Sequence, residues 1–127
     1  MNENIIDYWI EKANDDIASA EANFSGQRYL NAVRDCDFAC FHVFTAVLLN
    51  DKIRFKKHKE VRSILHRDYI RNEKIEISHG KHYDWLFDNR QSADYKPLFT
   101  FEEDQITDII EKSKDFVIEM DQLLNNH

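Results

Sequence analysis

The chain has 127 residues, of which 43% are hydrophobic and 13% aromatic, and its net charge is −7. This length suits a single domain, residues 1–127, and leaves no room for a second one. Two glycines and one proline are too few for a hairpin-rich β fold, which needs turn residues roughly every ten positions. We therefore predict an all-α fold of long helices joined by short loops.

Neither a membrane segment nor a disulfide framework is visible in the sequence. No stretch approaches the roughly 20 apolar residues that cross a bilayer, and the first residues lack the form of a signal peptide. Cys36 and Cys40 lie four residues apart, a spacing that suits neither a disulfide framework nor a zinc knuckle. We expect a cytoplasmic protein without membrane contact, in which both thiols are buried and reduced.

The charge is unevenly distributed along the chain. Residues 51–74, which we call the basic segment, contain nine Lys or Arg against four Asp or Glu, a local charge of +5, and the remainder carries −12. The overall negative charge argues against non-specific nucleic-acid binding by the whole surface. For the basic segment we weigh a solvated helix face evenly against a site for an anion or a partner.

The first predicted helix is amphipathic. Its apolar residues recur at steps of three and four and so share one face; they are Ile6, Ile10, Ala13, Ile17, Ala20 and Phe24. We expect Gly26, after Ser25, to end this helix in the left-handed conformation. Because the next helix restarts within about three residues, the two should pack antiparallel as a helical hairpin.

The stretch from Tyr29 to Asn50 is the predicted central helix. From Phe38 to Leu49 it is apolar on almost every side, as expected of a helix with several neighbours. One stripe is mixed in character and comprises Asn31, Asp35, Phe38, His42, Thr45 and Leu49. A hydrogen-bonded core histidine is the favoured interpretation of His42 over a catalytic one, because no nucleophile lies within one turn.

A third and a fourth helix are predicted next. The third has Val61, Ile64, Leu65 and Asp68 on one face. The fourth begins near Ser78 and has Tyr83, Leu86, Phe87 and Ala93 facing inward. Arg90 falls on the same inward arc, so its guanidinium needs an acceptor, and Asp94, one turn further on, is the expected partner.

The last helix is predicted to be long. Pro97 blocks continuation of the fourth helix, and Thr100 with Glu103 matches a capping box that opens the fifth. Its apolar face has helical period and comprises Ile106, Ile109, Ile110, Phe116, Val117, Met120, Leu123 and Leu124. This helix should pack along the first two.

Three stretches together resemble one known family. They are FACFH-x-x-x-A-x-LL (Phe38 to Leu49), FKKHKEV (Phe55 to Val61) and NRQSADYKPLFTFEED (Asn89 to Asp104). In this order they are similar to the HEPN domain, and in particular to its small stand-alone branch, UPF0332. The resemblance implies an antiparallel bundle of about five helices, usually dimeric, from prokaryotic defence or toxin–antitoxin systems and often found beside a minimal nucleotidyltransferase.

Many HEPN proteins are metal-independent ribonucleases, in which an arginine is followed after four to six residues by a histidine. In this sequence Arg90 is followed after four residues by Tyr95, and no arginine has a histidine at the family's spacing. A phenol with a reference pKa near 10 is a poor general base at neutral pH. The resemblance therefore implies phosphate binding by Arg90 more strongly than it implies RNA cleavage.

The first hypothesis is a HEPN module of a toxin–antitoxin or defence-type system that binds RNA or nucleotide phosphate at a homodimer groove. The resemblance implies a catalytic cluster in which Arg90 holds the phosphate and Asp94 orients Arg90 or Tyr95. The Tyr95 hydroxyl would donate a hydrogen bond or accept a nucleotidyl group. Weak metal-independent ribonuclease activity is the less favoured extension, and we expect neither a cofactor nor a metal.

In the same hypothesis Lys56, Lys57, His58 and Arg62 of the basic segment bind RNA or phosphate, and the segment attracts the anion through its field. The alternative hypothesis is a non-catalytic interaction module that dimerises and pairs with a minimal nucleotidyltransferase. Under that alternative, the pair of Arg90 and Asp94 is structural and the basic segment is a docking face for an acidic partner.

Overall fold

A computed structural model describes residues 2–95 and 100–125, with side chains described for residues 5–89 and 100–125. The helices are α1 (Asn2–Ser25), α2 (Tyr29–Asn50), α3 (His58–Ile64), α4 (Ile77–Tyr95) and α5 (Glu103–Asn125), and a π-helical segment (Leu65–Ile70) continues α3. The described ranges contain helices and turns and no strand. The predicted all-α bundle of about five helices is confirmed.

Helix α2 is the centre of the bundle. It packs along α1 as an antiparallel hairpin, and it also contacts α4 and α5. The antiparallel sense follows from two side-chain bonds, since Asn23 near the end of α1 bonds Asp35 near the start of α2, whereas Asp16 bonds His42 further along. The largest fully buried side chains are Phe44, Leu48, Leu65, Tyr69, Tyr83, Leu86, Ile106, Phe116 and Met120. The predicted extent of the central helix is confirmed.

The turn between α1 and α2 differs from the prediction at Gly26. No described glycine has a positive φ, and the left-handed residue is Gln27, at φ 61°. The Gln27 N–H donates to the Phe24 carbonyl across 3.0 Å and the Arg28 N–H to the Asn23 carbonyl across 2.7 Å, the two bonds of a Schellman motif. Gly26 was the wrong choice because the helix continues through one residue more than the glycine suggested.

The same helix ending recurs twice with residues other than glycine. Lys52 after α2 and Glu73 after the π-helical segment both have φ 60°. Each has the paired backbone bonds of a Schellman motif, with the following residue donating to a carbonyl five positions earlier. Three helical segments thus end at a non-glycine residue in the left-handed region, where a Cβ is sterically unfavourable.

The π-helical segment changes the face predicted for the third helix. Val61, Ile64 and Leu65 are buried as expected, but the next buried position is Tyr69, at 1% exposure, and not Asp68. Asp68 instead accepts two hydrogen bonds from its neighbour Arg67. The Arg71 N–H donates to the His66 carbonyl, five residues earlier, as in a π-helix. This wider turn shifts the later side chains away from the faces that they would occupy in a continuous α-helix.

The start of α5 also differs from the prediction. The helix begins at Glu103, so the N-cap residue is Glu102 and the proposed box of Thr100 and Glu103 is wrong. The Glu102 N–H donates to the Gln105 side chain across 3.4 Å, which is the N3-to-N-cap half of a capping box displaced by two residues. The predicted apolar face is confirmed, since Ile106 to Met120 contribute six buried side chains of that face to the core.

The remaining predictions concern membrane-spanning helices and the two cysteines. Among the described residues, no helix is long and apolar enough to cross a membrane. Cys36 and Cys40 are both buried free thiols, as predicted. Burial raises the pKa of the Cys36 thiol to about 12, and burial likewise raises the pKa of Cys40. Both are therefore protonated, unreactive core side chains.

Candidate functional site

The predicted catalytic residues Arg90, Asp94 and Tyr95 lie in the last turns of α4, which extends to Tyr95. Their side chains lie outside the described residues, so the predicted pairing of Arg90 with Asp94 remains a prediction. The backbone does fix the position of residue 90. It lies three residues after Phe87 in the same helix, about 4.5 Å further along the helix axis.

His58 opens α3 and is packed in an aromatic cluster. Its ring centroid is 3.9 Å from that of Phe41 on α2 and 6.3 Å from that of Phe87 on α4. The segment before it brings Phe55 into the same cluster, edge-on to Phe41 at 6.0 Å. His58 is thus a half-buried link between α2, α3 and α4 rather than a side chain extended into solvent.

Arg62, one turn after His58, lies against α4. Its guanidinium carbon is 4.3 Å from the centre of the Phe87 ring. Its Nη1 donates to Asp88 across 3.1 Å and is 3.8 Å from the Asp84 carboxylate. The side chain keeps 34% of its surface exposed. Cation–π contact and ion pairing therefore hold this cation in place while leaving part of it open to a ligand.

The Asp84 carboxylate lies beside both Arg62 and a second basic side chain, His66. The His66 Nε2 lies 2.9 Å from the same Asp84 oxygen. The ring can approach α4 because the opposing residue is Gly80, where an added Cβ would lie only 2.9 Å from His66 Cε1. Gly80 is thus a position where close approach of two helices requires glycine.

The four predicted phosphate-binding residues fall into two groups. His58 and Arg62 meet at the Phe87 ring. Lys56 and Lys57 are exposed, and no described residue forms an ion pair with either of them. The structure therefore brings two of the four together and leaves the two lysines as exposed cations without an ion-pair partner among the described residues.

The partners of Arg62 were missed from the sequence. Asp84, Phe87 and Asp88 recur at steps of three and four on α4, so they share a face that an arginine on a neighbouring helix can contact. That spacing was the available signal. It could not be assigned to Arg62, because the angle at which α3 meets α4 depends on the loop and the π-helical segment.

His42 is hydrogen-bonded, as the favoured interpretation predicted. Its Nδ1 lies 2.6 Å from Asp16 Oδ2, and the side chain is only 11% exposed. The ring stacks on Trp9, with centroids 5.2 Å apart, and on Phe38, 5.8 Å apart. Among the described residues, no group forms a hydrogen bond with the other ring nitrogen, Nε2.

A groove of ≈ 620 Å³ separates α4 from α5. His82 lies in its wall and is 7% exposed, and its Nε2 is 2.9 Å from the Ser113 hydroxyl. Burial, and secondarily the charge of Lys112, lowers the pKa of His82 to about 4. The imidazole is therefore neutral at physiological pH.

The residues that the structure describes contain no set of side chains suited to bind a metal ion. No three His, Cys, Asp or Glu side chains there converge closely enough to hold an ion. The chemistry that the described site offers is that of a fixed guanidinium, an imidazole oriented by a carboxylate and mobile surface ammonium groups. Such groups can bind a phosphate and stabilise its charge.

Comparison with known proteins assigns the family. A model of the HEPN domain matches residues 6–123. The chain is 30% identical to the UPF0332 protein of Thermotoga maritima over 124 aligned residues. The alignment covers 98% of this chain and 94% of that protein. It is 23% identical over 108 aligned residues to the protein named "Putative toxin MJ0142" of Methanocaldococcus jannaschii. That alignment covers 85% of this chain and 74% of that protein. The resemblance found in the sequence is thereby confirmed, and the chain belongs to the HEPN domain family.

Proposed function

We propose that this protein is a toxin-like HEPN module that binds RNA or nucleotide phosphate in a groove between the two protomers of a homodimer. Membership of the HEPN family supports the proposal, and so does similarity to a protein named as a toxin. Binding takes precedence over cleavage in this proposal, because Tyr95 replaces the histidine of the family motif.

The observation that carries the proposal is the meeting of His58 and Arg62 at the Phe87 ring. Position 90 follows Phe87 by one turn of α4. The middle of the basic segment thus packs against the helix that contains the only arginine of the family-like motif. A phosphate held by Arg90 would lie within reach of a second guanidinium, and paired guanidinium groups are strong phosphate ligands.

Surface charge supports the same assignment. Lys56 and Lys57 directly precede His58 in the chain and are exposed, on a segment with a net charge of +5 in an otherwise acidic chain. A lysine that contacts a phosphate releases condensed counterions, so binding should weaken as salt concentration rises. The acidic remainder of the surface confines RNA to this face.

The proposed roles of the motif residues follow their chemistry. Arg90 is charged at every physiological pH and offers a bidentate fork to phosphate. Asp94 orients Arg90 or Tyr95. The neutral Tyr95 hydroxyl donates or accepts a hydrogen bond, and it is also a chemically competent acceptor for a nucleotidyl group.

The direct test is a titration of a fluorescently labelled single-stranded RNA with the full chain, followed by anisotropy at low and at physiological salt. We expect saturable binding at low salt that weakens steeply with salt. Absence of binding by the wild-type protein at low salt would contradict the proposal.

A second candidate function is favoured by one specific observation. Arg62 is already bound by Asp84 and Asp88, which offsets part of the charge that RNA would use. A non-catalytic module that dimerises and pairs with a minimal nucleotidyltransferase would use the basic segment as a docking face for acidic side chains. It predicts no RNA binding and complex formation with that partner, which co-purification of the two chains would detect.

A further inference from the structure

The groove between α4 and α5 has a defined shape because its two sides touch at both ends. At one end the Trp85 ring meets the ring of Phe101, just before α5, with centroids 6.1 Å apart. At the other end the His79 ring meets Phe116 on α5, with centroids 5.7 Å apart. The volume of ≈ 620 Å³ falls within the range of roughly 300–1,000 Å³ that small-molecule sites occupy. The groove is therefore a preformed cavity of a size that suits a small molecule.

His82 offers an unused nitrogen to this groove. The side chain is 7% exposed, and its Nε2 is bonded to the Ser113 hydroxyl at 2.9 Å. No described residue bonds the second ring nitrogen, Nδ1, and that atom is not sealed in the core. Because His82 lines the groove, Nδ1 is accessible from the groove. A nearly buried polar atom without a partner in the protein is available to a ligand.

The surroundings of Ser113 determine which ring nitrogen of His82 has the proton. Ser113 is completely buried and lies within hydrogen-bonding reach of the Cys36 and Cys40 thiols, both of which are protonated. A thiol sulfur is a weak acceptor, whereas the unprotonated nitrogen of a neutral imidazole is a good one, so the Ser113 hydroxyl donates to Nε2. The proton of the neutral ring is then on Nδ1. His82 therefore presents an N–H donor to the groove.

The walls beside this donor are apolar. Trp85 on α4 is half-buried, Ile109 on α5 is 4% exposed, and both line the groove. An indole ring packs well against another planar ring, in stacked or edge-to-face geometry. One oriented donor beside aromatic and aliphatic surface is the combination that selects a small planar ligand with an acceptor atom.

The Lys and Asp charges on the rim of the groove cancel. Lys81 on α4 and Lys112 on α5 are balanced by Asp108 and Asp115 on α5, and the Lys112 ammonium is bound by Asp108 at 3.0 Å. A polyanion is therefore not attracted to the groove as a whole, and its phosphates would meet two carboxylates. The groove thus favours an uncharged ligand, in contrast to the basic segment.

The groove and the proposed RNA site lie on different sides of α4. Phe87 and Asp88 contact Arg62 on α3, whereas His82 and Trp85 line the groove beside α5. A ligand in the groove therefore leaves the contacts of the basic segment unobstructed.

We propose that the groove between α4 and α5 is a binding site for an uncharged, planar heteroaromatic small molecule. The ligand packs against Trp85 and Ile109 and accepts a hydrogen bond from Nδ1 of His82. This inference goes beyond the proposed function and does not rest on it, because none of these residues belongs to the proposed RNA site. It gives α4 two separate binding surfaces, a charged one beside α3 and a neutral one beside α5.

Two bicyclic probes of the same shape test the site. Benzimidazole has an acceptor nitrogen where indole has a C–H group, and both are uncharged at about pH 8, where a histidine of ordinary pKa is neutral too. Each is titrated into the full chain and followed by NMR of the backbone amides and the histidine rings. We expect benzimidazole to shift the signals of His82 and of the groove amides with a Kd of about 1 mM. It should bind about threefold to tenfold more tightly than indole, the effect of one hydrogen bond.

A matched pair of variants assigns this difference to His82. His82→Phe keeps a planar ring but has no donor, so the two probes should bind with about the same Kd. His66→Phe makes the same exchange on the α3 side of α4, where His66 bonds Asp84, and should retain the wild-type ratio. Thermal melts establish that both variants are folded. If His82→Phe is unfolded, proton–nitrogen correlation spectra of the wild-type imidazole decide, because they show which ring nitrogen has the proton and whether benzimidazole shifts it.

Several results would overturn the inference. One is the absence of benzimidazole shifts at several millimolar, and another is shifts confined to residues outside the groove. Equal binding of benzimidazole and indole to the wild type, or a proton on Nε2 in place of Nδ1, would exclude the proposed hydrogen bond. Inorganic phosphate should leave the groove signals unchanged. If phosphate shifts them at lower concentration than benzimidazole does, the groove is an anion site and the proposed class of ligand is wrong.

Discussion

The guanidinium of Arg62 stacks on the ring of Phe87, with its central carbon 4.3 Å from the ring centre. This contact attaches the basic segment to α4, the helix whose last turns contain the arginine of the family-like motif. A partly exposed cation–π contact and a surface ion pair each contribute on the order of 1 kcal/mol or less. The contacts of Arg62 therefore contribute little to the free energy of unfolding, and Arg62 can be replaced without unfolding the protein.

Replacement of Lys56, Lys57 and Arg62 by glutamine should weaken RNA binding and flatten its salt dependence. Each phosphate contact to a single strand contributes about 0.7 to the slope of log affinity against log salt, so losing three should reduce the slope by about two. The measurement is RNA anisotropy at four or so salt concentrations. Thermal melts establish whether the loss of Arg62 also loosens α3.

The matched control removes the same charge elsewhere. Lys12, Arg28 and Lys112 lie outside the basic segment, and their triple replacement by glutamine should leave the slope unchanged. If the control lowers affinity and slope as much as the basic-segment variant does, RNA is attracted by net charge alone and not by this face.

Moving a glycine by one residue should stabilise the α1–α2 turn. Gln27 has φ 61° and Gly26 does not have a positive φ. In Gly26→Ala combined with Gln27→Gly, the left-handed position receives the residue that adopts it freely, and the helical position receives a better helix former. We expect the free energy of unfolding in urea to rise by about 1 kcal/mol.

The single replacements serve as its controls. A Cβ at position 26 would lie 3.0 Å from Nη1 of Arg28, a flexible side-chain end that can move aside. Gly26→Ala alone should therefore be tolerated, and Gln27→Gly alone should provide most of the gain. A destabilised Gln27→Gly would contradict the Schellman ending described for α1.

His82 should make the protein less stable as pH falls from about 6.5 to about 4. Its pKa is lowered from an ordinary value of 6.5 to about 4, mainly by burial. Between these values the unfolded chain binds a proton at this site and the folded chain does not. The free energy of unfolding should thus fall by up to about 3 kcal/mol, with no contribution above about pH 7.

Comparison with His82→Gln isolates this contribution, because glutamine can still bond Ser113 but does not titrate. Urea unfolding at about pH 7 and at about pH 4.5 gives the difference in stability between wild type and variant at each pH. That difference should shift in favour of the variant at the lower pH. A difference that is the same at both values would show that His82 does not titrate between them.

Much of the fold follows from local patterns in the sequence. The apolar repeats of α1 and α5 and the nearly continuous apolar surface of α2 decide which faces are buried, and those faces are as predicted. Helix ends were harder to predict because capping depends on a few backbone bonds. Gln27 adopts the left-handed conformation that Gly26 was expected to adopt, and the N-cap of α5 is Glu102, bonded to Gln105, where Thr100 and Glu103 were expected to form the capping box.

The site depended on contacts that no local pattern contains. Arg62 was identified from charge alone, and its partners on α4 lie 22 to 26 positions away in the sequence. The π-helical segment that sets the direction of α3 has no distinctive residue pattern. His42 was predicted correctly as hydrogen-bonded, but its acceptor Asp16 is on a different helix, so spacing could not identify it.

The central claim, that Arg90 holds an RNA or nucleotide phosphate, is tested most directly by RNA anisotropy of Arg90→Ala beside Tyr95→Phe, with a thermal melt of each. Arg90 supplies charge and a bidentate fork, whereas Tyr95 supplies a hydroxyl. Arg90→Ala should abolish binding in a folded protein, and Tyr95→Phe should bind as the wild type does while losing any cleavage or nucleotidylation. Arg90→Ala that binds RNA like the wild type but melts at a much lower temperature would contradict the claim and make Arg90 a structural residue.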